Sequence, residues 1–251
     1  MSRTVLITGA TSGFGQSCAV GFAEDGWNVI ITGRRKERLV SLKERLQNKA
    51  EVHFGVLDVR DKDAVFDFVA NLPKKFAAVD VLVNNAGLAL GLEPAHKTKM
   101  EDWEIMVDTN IKGVLYFTKA LLPLMVERNR GHIINIGSTA GNWPYPGGNV
   151  YGATKSFVQQ FSRNLKADLL GTAVKVTNIE PGMAETEFSK VRFKGDEEQA
   201  KKVYENADLL QADDVADIIL WVANTPGRVN ITTLEVMATC QAWGPFQVYR
   251  K

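Results

Sequence analysis

The chain has 251 residues, of which 45% are hydrophobic and 24% are charged, and its formal net charge is +1. This length suits a single α/β domain over residues 1–251, and the near-neutral charge without a strongly basic block argues against a nucleic-acid partner. No apolar run approaches the roughly 20 residues that span a bilayer, so we expect a soluble protein that acts on a small molecule.

The cysteines and histidines indicate the compartment and argue against a metal. Cys18 and Cys240 are isolated in a chain long enough to fold without disulfides, which is typical of a reducing cytoplasm. The N-terminus also lacks the pattern of a secretory signal. Because His53, His96 and His132 form no metal-ligand spacing with the cysteines, we expect a cytoplasmic protein without a metal site.

The chain begins with a pattern of strand, glycine turn and helix. Residues 4–8 form a β-branched run, Gly9, Gly13 and Gly15 follow at once, and a helical pattern continues to Ala23. Such glycines let the backbone approach a pyrophosphate, whose charge is met by the N-terminus of the helix. A glycine cluster alone is more often only a turn, but its position after the first strand predicts a dinucleotide site.

The second strand, at residues 29–32, ends in a basic segment that contains Arg34 and Arg35. In a dinucleotide-binding fold an acidic residue at this strand end binds the ribose hydroxyls of adenosine, whereas an arginine accommodates a 2′-phosphate. The alternative is a solvated helix N-terminus, but cations there oppose the helix dipole. The two arginines therefore favour NADP over NAD.

The third and fourth strands, at residues 51–57 and 79–83, are followed by small or polar residues. Asp58 comes directly after the third strand, and Asn85 follows the fourth. In a doubly wound sheet ligands bind at the carboxyl ends of the strands, so Asp58 is a candidate contact for the adenine amino group. Alternatively, Asp58 only starts the next helix, over residues 61–72.

A long helix over residues 99–128 follows a loop and is interrupted near Asn110 and Gly113. A glycine inside a helix costs about 1 kcal/mol, so we expect a local kink that serves a function. The fifth strand, at residues 131–136, then brings Ser138 to the ligand side of the sheet.

Tyr151 and Lys155 lie four residues apart in the next predicted helix, and therefore on one face of it. A neighbouring positive charge favours the phenolate, so we expect the pKa of Tyr151 to fall from its ordinary value of about 10 toward working pH. Such a phenol can exchange a proton with an oxygen whose carbon gains or loses hydride, and Ser138 can hold the same oxygen. The alternative is an exposed lysine beside a half-buried tyrosine.

Strands alternate with helices along the chain as far as a sixth strand at residues 173–179. This alternation predicts right-handed βαβ units and a parallel sheet. We therefore expect an α/β fold, a single-domain Rossmann-type doubly wound parallel sheet of about seven strands with helices on both faces.

The motifs together resemble the short-chain dehydrogenase/reductase family over nearly the whole chain. The matching motifs are Thr8-Gly9-x-x-x-Gly13-x-Gly15, Asn84-Asn85-Ala86-Gly87, Asn110, Ser138, Tyr151-x-x-x-Lys155 and Pro181-Gly182. The resemblance implies that Tyr151 is the acid/base, that Ser138 orients the substrate oxygen, and that Lys155 binds the nicotinamide ribose. It further implies that Asn110 completes the catalytic set by holding a water molecule in a proton relay.

The strand-end residues and the resemblance together predict the contacts of an NADP cofactor. These contacts are Gly9, Thr11, Ser12, Gly13, Phe14, Gly15, Arg34, Arg35, Asp58, Val59, Asn85, Ala86, Gly87, Tyr151, Lys155, Pro181, Gly182, Met183 and Thr186. Among them, Thr186 is implied by the resemblance to contact the nicotinamide carboxamide.

Several later segments resemble the bacterial NADP-dependent 3-hydroxy acid dehydrogenases, which act on serine and L-allo-threonine. The matching segments are residues 179–182, 186–189, 191–196 and 229–231. The resemblance implies oxidation of 3-hydroxy acids, 3-hydroxypropionate included, or reduction of the corresponding semialdehydes. The tail departs from this pattern at Trp243, Pro245 and Phe246.

The expected substrate contacts are Ser138, Trp143, Tyr151, Met183 and Arg192. Arg192 and Lys194 lie in the segment after Pro181-Gly182, and either can pair with a substrate carboxylate; the alternative is that both are solvated cations on a mobile surface loop. Trp143, Tyr145 and Met183 can instead form an apolar wall of the pocket; alternatively, each packs only against the segment that covers the site.

Two other functions stay open from the sequence. One is a broad-specificity NADPH carbonyl or sugar-alcohol reductase, which activity on neutral ketones but not on hydroxy acids would select. The other is a non-catalytic NADP sensor, which a broken catalytic set would favour. A nucleotide-sugar epimerase is disfavoured, because the chain is short for the added sugar-nucleotide segment.

Apolar residues on two helices exceed what one sheet face needs and predict burial against a second subunit. They are Phe117, Leu121, Leu124, Phe157, Phe161 and Leu165. The alternative is an ordinary core face. The family resemblance implies a homotetramer with such helices at one interface and the terminal strand, near residues 231–237, at another.

Overall fold

The protein is described by a computed structural model that covers residues 2–243 and Val248; Pro245 and Phe246 of the tail lie outside these residues. Its strands are β1 (Thr4–Ile7), β2 (Asn28–Gly33), β3 (Val52–Val56), β4 (Val81–Asn84), β5 (Gly131–Ile136), β6 (Val174–Pro181) and β7 (Thr233–Val236). They form a seven-stranded sheet in the order β3-β2-β1-β4-β5-β6-β7, and each neighbouring pair is parallel. The predicted doubly wound parallel sheet is confirmed.

Helices cover both faces of the sheet. Within the described residues they are α1 (Gly13–Glu24), α2 (Lys36–Leu46), α3 (Lys62–Ala70), α4 (Met100–Val107), α5 (Gly113–Glu127), α6 (Asn149–Asp168), α7 (Phe188–Arg192), α8 (Glu197–Tyr204) and α9 (Ala212–Ala223). None of these helices is long and apolar enough to cross a bilayer. The helices α7, α8 and α9 lie beyond the predicted elements. Asp196 was a usable signal for α8, because its carboxylate accepts a hydrogen bond from the backbone N–H of Gln199 (3.0 Å) and so caps the helix.

Alternate residues of β1 face two hydrophobic cores. Val5 and Ile7 belong to the core formed with α1, α2 and α9, whereas Leu6 belongs to the core formed with α3, α5 and α6. All three side chains are fully buried. Burial on both faces explains why the central strands are continuous apolar runs rather than alternating ones. The same burial holds the carboxyl ends of these strands in place, and the polar residues of the cleft follow those ends.

The predicted interruption of the long helix is a π-helical turn, Asp108–Lys112, between α4 and α5. Asn110 in this turn is 1% exposed. Gly113 begins α5 where a Cβ atom would lie only 2.8 Å from Cγ2 of Val59. The interruption is therefore confirmed, and its local cause is the wider hydrogen-bond spacing of the π turn. The turn directs the Asn110 side chain toward the backbone of Leu88.

Half of the residues predicted to face a second subunit belong to the core instead: Phe117, Leu121 and Leu165. That prediction is wrong for these three, because α3, α5 and α6 enclose them against the sheet. The remaining residues do lie on the outer surface. Leu124 is 40% exposed, and the half-buried rings of Phe157 and Phe161 stack with their centroids 5.6 Å apart.

Candidate active site

A cleft of about 530 Å³ lies at the carboxyl ends of the parallel strands, where a doubly wound sheet places its ligands. Most of the predicted site residues line it: Gly9, Thr11, Ser12, Gly13, Phe14, Arg34, Arg35, Asp58, Val59, Asn85, Ala86, Gly87, Ser138, Tyr151, Lys155, Pro181, Gly182, Met183, Thr186 and Arg192. The predicted residues Gly15, Asn110 and Trp143 are not part of this lining. Within residues 2–243 and Val248, no group of three or more His, Cys, Asp and Glu side chains is arranged to hold a metal ion.

The glycine loop between β1 and α1 is shaped for close approach. Gly9 and Gly13 adopt positive φ angles of 68° and 53°. A Cβ atom on Gly15 would lie 2.5 Å from Nδ2 of Asn85, so Gly15 serves the packing of α1 rather than the cleft surface. Ser12 makes no side-chain capping bond, and no acidic residue lies in the first turn of α1. This helix end therefore suits a phosphate.

Two arginines contact the glycine loop: Arg35, which directly precedes α2, and Arg38, which lies in the first turn of α2. The Arg35 guanidinium donates to Oγ1 of Thr11 (2.8 and 3.1 Å) and to Oγ of Ser12 (2.9 Å). Arg38, which the sequence interpretation missed, donates to the carbonyl oxygen of Thr11 (3.2 Å). Its position in the first turn of α2, three residues after Arg35, was the available signal.

The same end of the cleft contains Arg34 and Asp58. The Arg34 guanidinium lies 3.8 Å from the Asp58 carboxylate, and Arg60 donates to both oxygens of that carboxylate at 2.7 to 3.0 Å. Burial raises the pKa of Asp58, but the hydrogen bonds and charge of Arg60 outweigh burial and lower it. Asp58 is therefore an ionised acceptor. Arg35 and Arg38 supply donors for a 2′-phosphate, and Asp58 supplies an acceptor for the adenine amino group. This combination fits NADP.

Thr8 fixes the turn after β4 against β1. Its Oγ1 accepts hydrogen bonds from the backbone N–H groups of Asn85 (3.0 Å) and Ala86 (2.9 Å). A Cβ atom on Gly9 would lie 2.9 Å from Cα of Ala86, so only glycine permits this approach of the two strand ends. The turn thereby forms the floor of the cleft.

Ser138, Tyr151 and Lys155 come together where α6 packs against the segment after β5. A Cβ atom on Gly152 would lie 2.9 Å from a carbonyl oxygen of the 3₁₀ turn in that segment, and one on Gly141 would lie 2.9 Å from the carbonyl carbon of Lys155. The absence of side chains at these two glycines therefore permits the contact. The Nζ of Lys155 donates to the last carbonyl oxygen of β5 (2.8 Å).

Burial dominates the titration of the tyrosine and the lysine. Desolvation raises the pKa of Tyr151 to about 12, although the charge of Arg192 and a hydrogen bond with Ser138 act to lower it. Desolvation also lowers the pKa of Lys155 to about 8, and its Nζ lies 5.8 Å from the centre of the Tyr151 ring. The expected fall in the pKa of Tyr151 through Lys155 is therefore wrong for this structure. The ring lies in an apolar cluster with Leu88, and the cation that lowers its pKa is Arg192.

The Asn110 side chain holds the segment after β4. Its Oδ1 accepts a hydrogen bond from the N–H of Leu88 (2.9 Å), and its Nδ2 donates to the carbonyl oxygen of Leu88 (2.8 Å) and to Oγ1 of Thr154 (3.0 Å). A Cβ atom on Gly87 would lie 3.3 Å from this Oδ1 and 3.4 Å from Nζ of Lys155. Asn110 thus positions the cleft floor beside the lysine, and its water relay stays a prediction.

Arg192, the last residue of α7, covers the tyrosine. Its guanidinium carbon lies 5.2 Å from the ring centre of Tyr151 and 5.1 Å from that of Phe188. Nη2 donates to the hydroxyl of Tyr145 (3.0 Å), and the Arg192 carbonyl oxygen accepts from the N–H of Gly91 (2.9 Å). Nε is buried and has no hydrogen-bond partner among the described residues. A half-buried cation with a buried, unused donor suits an anionic ligand. Lys194, the other predicted partner for a substrate carboxylate, lies outside the cleft lining and donates to Oδ2 of Asp102 (2.7 Å).

Trp143, one of the predicted substrate contacts, lies outside the cleft lining. It is 40% exposed, and its ring centre lies 6.5 Å from that of Trp243. Its backbone N–H donates to the carbonyl oxygen of Thr139 (3.0 Å) in a turn that carries the side chain to the surface. Met183, in contrast, lines the cleft, and its N–H donates to Oε1 of Gln241 (2.8 Å).

Comparison with known proteins assigns the chain to a family. Residues 3–197 match the family model of the short chain dehydrogenases. The chain belongs to the short-chain dehydrogenase family. The NADP-dependent 3-hydroxy acid dehydrogenase YdfG of Salmonella typhi is 59% identical over 247 residues, which cover 98% of this chain and 99% of that protein. Sulfoacetaldehyde reductase 2 of Chromohalobacter salexigens is 53% identical over 251 residues, which cover 100% of both chains.

A solved structure matches this short-chain dehydrogenase along its whole length. It is the closed form of serine dehydrogenase complexed with NADP+, with a TM-score of 0.94 and 56% sequence identity. The match covers 99% of this chain and 100% of that chain. The Rossmann-type sheet is thus common to both proteins.

We expect Gly141→Ala to move Tyr151 and Lys155 away from Ser138, because the added Cβ meets the backbone of α6. The kcat of the dehydrogenase reaction should fall by about ten- to a hundredfold, and the free energy of unfolding should fall by about 1–3 kcal/mol. Steady-state kinetics and urea unfolding measure the two effects.

Gly21→Ala is the matched control for this variant. The added Cβ on α1 would make only an ordinary 3.8 Å contact with Leu220, so kcat should stay unchanged, and stability should rise by up to about 1 kcal/mol. A wild-type kcat in Gly141→Ala would contradict the role given to the contact between α6 and the segment after β5.

Proposed function

We propose that this protein is an NADP-dependent oxidoreductase that transfers a hydride between the nicotinamide and a 3-hydroxy acid, or reduces the matching semialdehyde. The observation that carries the proposal is the half-buried Arg192 beside Tyr151, whose buried Nε has no hydrogen-bond partner among the described residues. A guanidinium in this position can pair with the acidic group of a small substrate while the substrate hydroxyl lies at Tyr151. Two relatives support this class, because a 3-hydroxy acid and sulfoacetaldehyde both carry an acidic group.

The proposed cofactor contacts divide along the cleft. Arg34, Arg35 and Arg38 hold the 2′-phosphate, which distinguishes NADP from NAD, and the first turn of α1 receives the pyrophosphate. Lys155 binds the hydroxyls of the nicotinamide ribose, and Thr186 binds the carboxamide. When bound, NADP accepts or supplies the hydride.

Tyr151 is the proposed acid/base. In oxidation its phenolate accepts the hydroxyl proton of the substrate, and in reduction its phenol protonates the carbonyl oxygen. Ser138 donates a hydrogen bond to the same substrate oxygen. Because burial raises the pKa of Tyr151 to about 12, formation of the phenolate depends on nearby positive charge, to which Arg192 contributes. Asn110 is proposed to hold the water that relays the proton to solvent.

Arg192 is the proposed anchor of the acidic group. Leaving its buried Nε unpaired costs free energy, about 1–3 kcal/mol, which a bound carboxylate would recover. Met183 forms a neighbouring wall of the pocket. The proposed substrates are L-serine, L-allo-threonine and 3-hydroxypropionate, with the matching semialdehydes in reduction. Sulfoacetaldehyde is a second candidate, supported by the reductase that is 53% identical.

Initial rates of the purified protein test the reaction. We expect reduction of NADP+ with the three hydroxy acids, slower rates with NAD+, and oxidation of NADPH with sulfoacetaldehyde. Tyr151→Phe removes the acid/base and should lower kcat by about 10²- to 10⁴-fold, whereas Tyr116→Phe on α5 removes a hydroxyl outside the cleft lining and should leave kcat unchanged. Rates only with neutral alcohols would favour a carbonyl or sugar-alcohol reductase, and NADP binding without turnover would favour a sensor.

We expect Arg192→Met to raise the KM for 3-hydroxypropionate by about ten- to a hundredfold, because the variant loses a hydrogen bond to a charged group. It should also move the pH profile. The Arg192 charge lowers the pKa of Tyr151, so its removal raises that pKa, and the limb on which oxidation speeds up with pH moves to higher pH. Measurements of kcat/KM against pH show both effects.

Lys190→Met is the matched control, because it removes a cation from the same helix. Lys190 pairs with Glu197 on the surface (3.1 Å), so neither the KM nor the pH profile should change. Arg192→Lys keeps the charge but loses the planar guanidinium, so it should retain most of the pH profile and lose part of the affinity. A wild-type KM and profile in Arg192→Met would refute the anchor.

We propose that the protein works in the cytoplasm as a homotetramer. Cys18 and Cys240 are free thiols, as expected where thiols are kept reduced. An apolar groove between α3, α5 and α6, lined in part by Tyr116, Leu122 and Phe161, continues from the stacked Phe157 and Phe161 rings. The strand β7 ends the described sheet and is open to pairing with a second copy.

Static light scattering should give four times the 27.7 kDa mass of the chain. Phe157→Glu places a charge in the apolar surface of α6 and should lower this mass at micromolar concentration, since an unpaired charge buried at an interface is costly. A monomer mass for the wild-type protein would contradict the assembly.

A further inference from the structure

Glu187 joins the segment after β6 to Arg35, which precedes α2, and to Arg38 in the first turn of α2. Its Oε2 accepts hydrogen bonds from Nη1 of Arg35 (3.0 Å) and Nη1 of Arg38 (2.9 Å), and its Oε1 accepts from the same Arg38 nitrogen (2.8 Å). These are the guanidinium groups that also contact Thr11. One carboxylate therefore lies between the two cations assigned to the 2′-phosphate.

The neighbouring residues place Glu187 directly over the cofactor loop. A Cβ atom on Gly13 would lie 3.5 Å from Cβ of Thr186, so the backbone just before Glu187 covers the glycine turn. Glu187 directly precedes the helix α7, which ends with Arg192 at the tyrosine. Residues 186–192 therefore form a segment that covers the cleft. Glu187 lies at its cofactor end, and Arg192 lies at its proposed substrate end.

The Glu187 carboxylate is suited to imitate a phosphate. Partial burial raises its pKa, but the hydrogen bonds and charges of Arg38 and Arg35 outweigh burial and lower it, so the group is ionised at neutral pH. A carboxylate and a phosphate present oxygens of similar geometry to a guanidinium fork. The side chain is 37% exposed, so it can move aside at little cost.

We infer that Glu187 competes with the 2′-phosphate of NADP for Arg35 and Arg38, and thereby sets how strongly the enzyme prefers NADP over NAD. The inference rests on the proposed use of NADP. A ligand with a 2′-phosphate must displace the carboxylate from both arginines or share them with it. A ligand without that phosphate leaves the two ion pairs intact, so the carboxylate weakens only NADP.

Isothermal calorimetry of Glu187→Gln with two nucleotides tests the competition without turnover. The probes are 2′,5′-ADP, which carries the 2′-phosphate, and 5′-AMP, which lacks it. Loss of two partly exposed ion pairs should tighten 2′,5′-ADP binding by about three- to tenfold, whereas 5′-AMP binding should stay unchanged. The substitution keeps the side-chain volume at a half-exposed position, and thermal unfolding checks that the fold is retained.

Glu185→Gln is the matched control, because Glu185 is exposed, lies two residues earlier in the same segment and carries the same charge. Its affinity for 2′,5′-ADP should equal that of the wild type. Unchanged or weaker 2′,5′-ADP binding in Glu187→Gln would overturn the inference, and so would equal tightening in both variants, which would reflect net charge alone. If the wild-type protein itself binds 2′,5′-ADP no more tightly than 5′-AMP, the NADP assignment fails first and the competition fails with it.

Discussion

The contact between α6 and the segment after β5 holds together the groups of the proposed reaction. The two backbone segments approach so closely that a Cβ atom at Gly141 or Gly152 would overlap the backbone of the facing segment. Because Tyr151 and Lys155 lie on the contacting face of α6, this approach places the phenol beside Ser138 and the ammonium group against the last carbonyl oxygen of β5. The sheet supports the contact from below, since its central strands are buried on both faces and close packing resists movement.

The segment over the cleft, residues 186–192, is built differently, and its proposed role is recognition rather than chemistry. It lies outside the sheet, as binding segments of many proteins do, and it reaches both ends of the cleft. Glu187 contacts Arg35 and Arg38 at the cofactor end, while Arg192 lies over Tyr151 at the substrate end. One short segment therefore carries both the anion that contacts Arg35 and Arg38 and the cation beside Tyr151, so the proposed cofactor selection and the proposed substrate selection depend on a single element.

Desolvation outweighs charge in this site, and that balance bears on the direction of the reaction. A tyrosine with a pKa of about 12 is protonated at neutral pH and is ready to protonate a carbonyl oxygen, which suits reduction. In the proposed oxidation Tyr151 acts as the phenolate, so this direction would depend on the positive charge of Arg192 and would be favoured at higher pH. An acidic substrate that pairs with Arg192 would reduce this help, so the charge of the substrate and the ionisation of the acid/base group are coupled.

The sequence by itself determined the alternation of strands and helices, the residues at the strand ends and the shared helix face of Tyr151 and Lys155. Each of these follows from spacing within one element, through periodicity, glycine position or helical geometry. Only the tertiary structure decided that Trp143 faces the surface, that burial sets the pKa of Tyr151, and that Arg35 meets Glu187, 152 residues further along the chain. These outcomes depend on which distant segments pack together and how much water they exclude, and no local pattern in the sequence carries that information.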